Sequence, residues 1–254
     1  MGPSENLRPR VGLFTTCLVE SFRPAVGYAA IRLLQEAGCR VEVPEAQHCC
    51  GRPALQADDL DDLRAHAGRV IDTFESYDFV VAPSPSCASV LKRYAALLAS
   101  KPEWAERAAR FSEKAYELTA FLADVMQAEP GPARVDASIA LHDSCTALGE
   151  LGIREQPRAL LSAVEGVALR ELPGAAKCCG FGASACASSS AALTGDIREA
   201  GAGMLVSSEL GCLLGIARKL KRDGSAIEVR HIAEVLAGMN ETPPIGGATR
   251  QIRT

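Results

Sequence analysis

Val41-Glu42-Val43-Pro44 leads into Gln47-His48-Cys49-Cys50-Gly51, and Val167-Ala168-Leu169 leads through Leu172-Pro173 into Cys178-Cys179-Gly180. A cysteine doublet followed by glycine therefore occurs twice, about half a chain apart, each time after a short apolar run and a proline. Adjacent Cα atoms sit about 3.8 Å apart, so neighbouring thiolates are poorly placed to complete a tetrahedral grip on one zinc ion and well placed to reach two irons of one cluster. Glycine has no Cβ, which lets the backbone turn sharply and lets a bulky inorganic group come close.

The doublets are the middle members of two longer sets. Cys17, Cys49, Cys50 and Cys87 are separated by 31, 0 and 36 residues, and Cys145, Cys178, Cys179 and Cys212 by 32, 0 and 32. Matched sets of this kind point to an internal duplication. The expected fold class is α/β: two duplicated, pseudo-symmetric Rossmann-like halves with parallel strands, spanning 11–130 and 134–238, with flexible tails at 1–10 and 239–254. Gly131 and Pro132 mark the boundary. The strand-end loops of each half then converge at one edge of a parallel sheet, where open α/β folds place their ligands.

Hydrophobic periodicity supplies the elements. In the first half it predicts a strand over Val11–Thr15 that delivers Cys17 and a helix opened by Pro24 and stopped by Gly38. A strand through Val41 and Val43 follows, then a helix begun by Asp58 and Asp59. Leu60, Leu63, Ala67, Val70, Ile71 and Phe74 share one face of that helix. A strand over Phe79–Ala82 ends in the loop Pro83-Ser84-Pro85-Ser86-Cys87, followed by helix at Ala88–Leu98 and further helix between Trp104 and Met126. In the second half, Ser138–Leu141 is a strand ending in His142-Asp143-Ser144-Cys145, with helix to Val164. Strands at Val167–Leu172, Met204–Ser207 and Ile227–Val229 alternate with helices at Ser184–Gly201, Leu213–Lys221 and His231–Leu236.

Composition narrows the function. The hydrophobic fraction is 48% and the net charge −4, with no basic stripe for nucleic acid. No uncharged run of about 18 apolar residues offers a transmembrane segment, and the polar start from Met1 to Arg10 lacks a secretory signal. A cytoplasmic protein follows, in which ten cysteines stay mostly reduced and point to metal or redox work. Four thiolates per set suit an iron–sulfur cluster. Structural zinc, which normally uses locally chelating Cys-x2-4-Cys pairs, and thiol–disulfide exchange are the alternatives.

Other residues read more plainly. Cys39 and Cys186 are read as small packing residues. His48 and His142 flank predicted ligands, where an imidazole hydrogen-bonds to a cluster or carries a proton, or is simply a polar loop residue. His66 is expected in solvent and His231 in a capping or packing role. Arg154 and Arg158 could meet an anionic substrate or an acidic partner, although two arginines on a helix are ordinary. Gly180-x-Gly182-x-x-Ala185 superficially fits a dinucleotide fingerprint but follows a cysteine doublet rather than a strand, and Gly182 is better explained by close approach to a cluster.

The paired Cys-Cys-Gly motifs, His142-Asp143-Ser144-Cys145 and Cys178-Cys179-Gly180-Phe181-Gly182 resemble the cysteine-rich domains of heterodisulfide reductase and of glycolate oxidase iron–sulfur subunits. Among these, the short two-motif chain is most similar to the lactate-utilisation protein A family. The resemblance covers nearly the whole chain, from about Val11 to Leu236. It implies a non-flavin oxidoreductase subunit of a cytoplasmic iron–sulfur L-lactate dehydrogenase system, with 4Fe–4S cofactors. A ferredoxin-like iron–sulfur protein and a third subunit are the implied partners. The fuller family pattern ends each motif in Cys-x-x-Cys. Here Ser84 and Glu209 replace the first cysteine of each pair, leaving four cysteines per set, enough for an ordinary 4Fe–4S cube.

Overall fold

A computed structural model describes residues 8–129, 131, 133–173, 178–180 and 187–247. Pro132, Phe181, Gly182, Ala185 and Cys186 lie outside the described residues, as do residues 1–7 and 248–254. The chain divides into two compact units between Ala128 and Glu129.

In the first unit β1 (Arg10–Leu13) passes through α1 (Cys17–Phe22) and α2 (Pro24–Glu36) to β2 (Arg40–Glu42). Then come α3 (Arg52–Gln56), α4 (Leu60–Phe74), β3 (Phe79–Ala82), α5 (Pro85–Leu98), α6 (Pro102–Glu113), β4 (Ala115–Glu117) and α7 (Leu118–Ala120), which runs into a π-helical turn at Phe121–Val125. The strands form one all-parallel sheet in the order β2-β1-β3-β4. Both faces of such a sheet are covered by helices, so its central strands read as near-continuous apolar runs. Val80, Val81 and Ala82 of β3 are fully buried.

The second unit repeats the plan. It comprises β5 (Arg134–Leu141), α8 (Cys145–Leu151), α9 (Glu155–Ser162), β6 (Glu165–Arg170), α10 (Ala187–Glu199), β7 (Met204–Ser207), α11 (Leu210–Arg222), β8 (Glu228–His231) and α12 (Ile232–Leu236). Its sheet is again all parallel, ordered β6-β5-β7-β8. In each unit the first strand lies between the second and third, so the three cysteine-bearing loops leave neighbouring strands at the same carboxyl edge, across the topological switch point.

Local chemistry fixes those loops. Thr16 and Ser144 cap α1 and α8, accepting from the backbone N–H of Val19 (3.3 Å) and Ala147 (3.1 Å), so Cys17 and Cys145 each become the first helical residue. Gly51 and Gly180 follow the doublets at φ of +85° and +83°, a left-handed conformation that side chains resist. A Cβ on Gly51 would sit 2.6 Å from Leu63 Cδ1. The units tie their first two loops together differently. In the first, Gln47 accepts from Thr15 N (2.9 Å) and donates to Leu13 O (3.0 Å). In the second, Arg158 of α9 holds Asp143 in the first loop through two bonds (3.1 and 2.7 Å) and Glu171 beyond β6 through two more (2.8 and 2.9 Å).

Several expectations need correction. The segment from Trp104 to Met126 is not all helix: β4 intervenes, a three-residue edge strand too short to show alternation. Helix α1 was not expected, although Thr16 is a good N-cap residue. Cys87 and Cys212 lie within the first turns of α5 and α11 rather than before them. Leu60 is 41% exposed, because the first residue of α4 precedes the part of the helix that reaches the core. Residues 239–247 are not a loose tail. Ile245 is buried and its N–H donates to Val229 O, while Arg230 donates to Thr242 O at 2.7 Å; a buried guanidinium needs an acceptor and takes the passing backbone.

Gly51→Ala is expected to lower stability by about 2–4 kcal/mol through left-handed strain and overlap, whereas Gly149→Ala, in α8 with open space at its Cβ, should be neutral or raise it by up to about 1 kcal/mol. Denaturant unfolding of the reduced protein distinguishes them; equal midpoints for Gly51→Ala and wild type would contradict the tight-turn account. Arg158→Ala should cost about 2–4 kcal/mol, because the half-buried Asp143 carboxylate loses its partner. Arg158→Lys, which cannot fork to two carboxylates, should recover less than half, and Arg154→Ala should lie within about 0.5 kcal/mol of wild type.

Candidate metal centres

At the carboxyl edge of the first sheet, four sulfurs meet. Cys50 and Cys87 are buried with Sγ atoms 3.5 Å apart, Cys49 is half-buried and Cys17 exposed. The Cys17 and Cys50 thiols both hydrogen-bond to Cys49, which holds the Cys49 thiolate well below the usual thiol range and pushes Cys17 and Cys50 up. The neighbouring thiols thus favour negative charge at Cys49, while further thiolates at this separation would repel it. Tyr94 of α5 donates to Cys50 O at 2.8 Å from a buried position and stacks on Phe111, centroids 5.6 Å apart, which locks the doublet against the α5–α6 layer.

The second edge has the same plan. Cys179 and Cys212 are buried with Sγ atoms 2.8 Å apart, Cys178 is half-buried and Cys145 exposed. The hydrogen bond with Cys179, with burial and the nearby Glu209 carboxylate, pushes the Cys212 thiol up; burial does the same to Cys145. Cys178 Sγ accepts from Gly180 N at 3.4 Å, so the left-handed glycine also aims its N–H at a sulfur. In both units the second doublet cysteine and the fourth cysteine are buried and the first faces outward, grading each site from core to surface.

The two positions that depart from Cys-x-x-Cys differ in use. Ser84 is buried and caps α5, its Oγ accepting from Cys87 N at 3.4 Å and lying 3.1 Å from Ser86 Oγ; its oxygen is occupied in positioning Cys87. Glu209 precedes α11 with no side-chain cap and acts on Cys212 through its charge.

Residues outside the eight fall into place. Cys39 is buried with its Sγ 3.8 Å from Met126 Sδ, and burial alone pushes its thiol up to about 11, the behaviour of a packing residue. His48 is exposed. His231 is fully buried, caps α12 and lies 2.9 Å from Ser208 O through Nε2. His66 is not free in solvent. Its side chain is 22% exposed and 3.7 Å from Asp62, and its Cβ would meet a Cβ on Gly51 at 3.2 Å. Nothing in the α4 periodicity marked it, because contact with the doublet turn comes from tertiary packing. His142 is 3% exposed and offers a nitrogen within 4.8 Å of the Cys179 and Cys212 sulfurs.

This donor set suits a soft-metal centre: sulfur-rich, graded in exposure, with glycine at the close-approach position. The nine cysteines among the described residues are all free thiols. Among the described residues no helix is long and apolar enough to cross a membrane.

Comparison with known proteins agrees with the duplicated plan. The cysteine-rich domain CCG matches residues 11–92 and again 139–217, segments that carry all eight matched cysteines. Lactate utilization protein A of Bacillus subtilis (strain 168) is 39% identical over 234 residues, covering 89% of this chain and 98% of that protein. The protein of the same name from Bacillus cytotoxicus is 37% identical over 238 residues, with the same coverage, and that of Bacillus thuringiensis (strain Al Hakam) 38% over 238. With two matched repeats, each holding one four-cysteine set on one parallel sheet, the chain belongs to the CCG cysteine-rich domain family.

Proposed function

We propose that this protein is a cytoplasmic electron-carrying subunit of a system that oxidises L-lactate to pyruvate. Cys17, Cys49, Cys50 and Cys87 bind one 4Fe–4S cluster, and Cys145, Cys178, Cys179 and Cys212 bind another. The observation that carries this reading is the equivalence of the two four-thiol edges; the lactate assignment rests on relatives named for lactate utilisation. A bound 4Fe–4S cluster supplies one-electron transfer. The chain supplies the rest: eight thiolates as ligands, the Gly51 and Gly180 turns that admit a bulky group, and Tyr94 and Arg158 to hold loops in register. The exposed Cys17 and Cys145 mark the faces where electrons enter or leave. Arg158 is committed to Asp143 and Glu171, so recognition of the lactate carboxylate is assigned to a partner subunit.

One distance favours a second reading. The 2.8 Å between Cys179 and Cys212 Sγ would let these thiols close a disulfide with little movement, as thiol–disulfide exchange requires.

Two predictions separate the readings. In protein isolated anaerobically with its partner subunits, L-lactate should bleach the visible cluster absorption. Cys50→Ser and Cys179→Ser should each remove about half of the iron and sulfide, since each set holds one cluster. Variants that keep full iron yet trap mixed disulfides would favour thiol exchange, and zinc in place of iron would make the sites structural. Because Cys17, Cys50, Cys145 and Cys212 are held as thiols, with pKa above the ordinary value, metal uptake must displace protons. Cobalt(II) affinity of metal-stripped protein should therefore rise with pH between about 6 and 9; a flat profile would contradict thiolate ligation.

A further inference from the structure

Phe14 and His142 occupy the same place in the two units. Each stands three residues before the leading cysteine, and each donates its N–H to the neighbouring strand, Phe14 to Val81 O at 2.9 Å and His142 to Val206 O at 2.8 Å. Both side chains are buried, at 1% and 3% exposure. Phe14 meets an apolar partner, Phe74, at a centroid distance of 5.6 Å. His142 is different: its buried Nε2 has no hydrogen-bond partner among the described residues, a costly state for a polar atom removed from water. A nitrogen of the same ring lies with the Cys179 and Cys212 sulfurs in a group whose ligand atoms are all within 4.8 Å of one another. Metal–sulfur and metal–nitrogen bonds are about 2.3 and 2.0 Å long, so donors grouped this closely can face one metal centre.

We propose that His142 is a metal ligand of the second unit, giving nitrogen to one iron of its centre in place of one of the four thiolates, beside the irons that take sulfur from Cys179 and Cys212, while Phe14 keeps the first unit's centre all-sulfur. The inference rests on the metal-centre reading above. It makes the two centres chemically unequal despite their shared backbone. A neutral imidazole in place of a thiolate reduces the negative charge on the metal and raises its potential, as histidine ligation does in other iron–sulfur centres, so the second centre is the more easily reduced.

The test uses the full-length protein, isolated anaerobically, with His142→Phe, which installs the first unit's own residue, and His142→Gln in case the larger ring disturbs packing. Pulsed EPR of the dithionite-reduced wild type should show a nitrogen coupling of ligand strength that both variants lose, while Phe14→Leu leaves it unchanged. Iron-containing wild type without that coupling, or a coupling that persists in both variants, overturns the proposal. If the protein holds no iron, the cluster reading fails separately and cobalt(II) titration of the metal-stripped protein decides. Affinity about tenfold or more weaker in both variants supports ligation by His142; equal affinity, or no cobalt uptake, overturns it.

Discussion

Four sulfurs brought to one sheet edge cannot all be thiolates without a positive centre between them. In the first unit the thiols of Cys17 and Cys50 hydrogen-bond to Cys49, which favours the thiolate there. A soft cation that took the place of the protons would relieve the repulsion among thiolates. The rest of each unit serves this convergence. A parallel sheet with its first strand between the second and third sends three loops to one edge. Caps at Thr16, Ser84 and Ser144 then fix where the helices begin, and so where the sulfurs stand.

The duplication kept backbone and sulfur and changed nearly everything around them. The first unit has an aromatic core, with Phe14 on Phe74 and Tyr94 on Phe111; beyond residue 128 the sequence contains a single aromatic residue, Phe181, so the second core is aliphatic. Loop ties diverged likewise, from the neutral amide of Gln47 to the Arg158 guanidinium with two carboxylates. Where side chains only fill space or hold a loop, different chemistry does the same work. The pair that differs in kind is Phe14 and His142, where the second unit carries a nitrogen donor and the first does not.

Much of this was legible from residue spacing. The two cysteine sets, the alternation of strand and helix and the position of β3 and β7 follow from apolar runs and from the repeat itself, because a buried parallel strand leaves a continuous signal. What escaped depended on contacts distant in sequence. Strand β4 is defined by its pairing with β3 rather than by its composition, although β8, its counterpart, was legible. Arg158 looked like an ordinary helix-surface arginine until the fold brought Asp143 and Glu171 to it, and His66 like a solvated residue until α3 and α4 packed the doublet turn against it. Residues 239–247 lack helical or strand periodicity, and only the acceptors they offer to Arg230 and the Ile245 pairing with Val229 hold them.

The central claim is that each four-cysteine edge is a cluster site. Iron and acid-labile sulfide counted per chain in anaerobically purified protein test it most directly. Two filled sites predict about eight of each; anaerobic protein that contains neither would contradict the account.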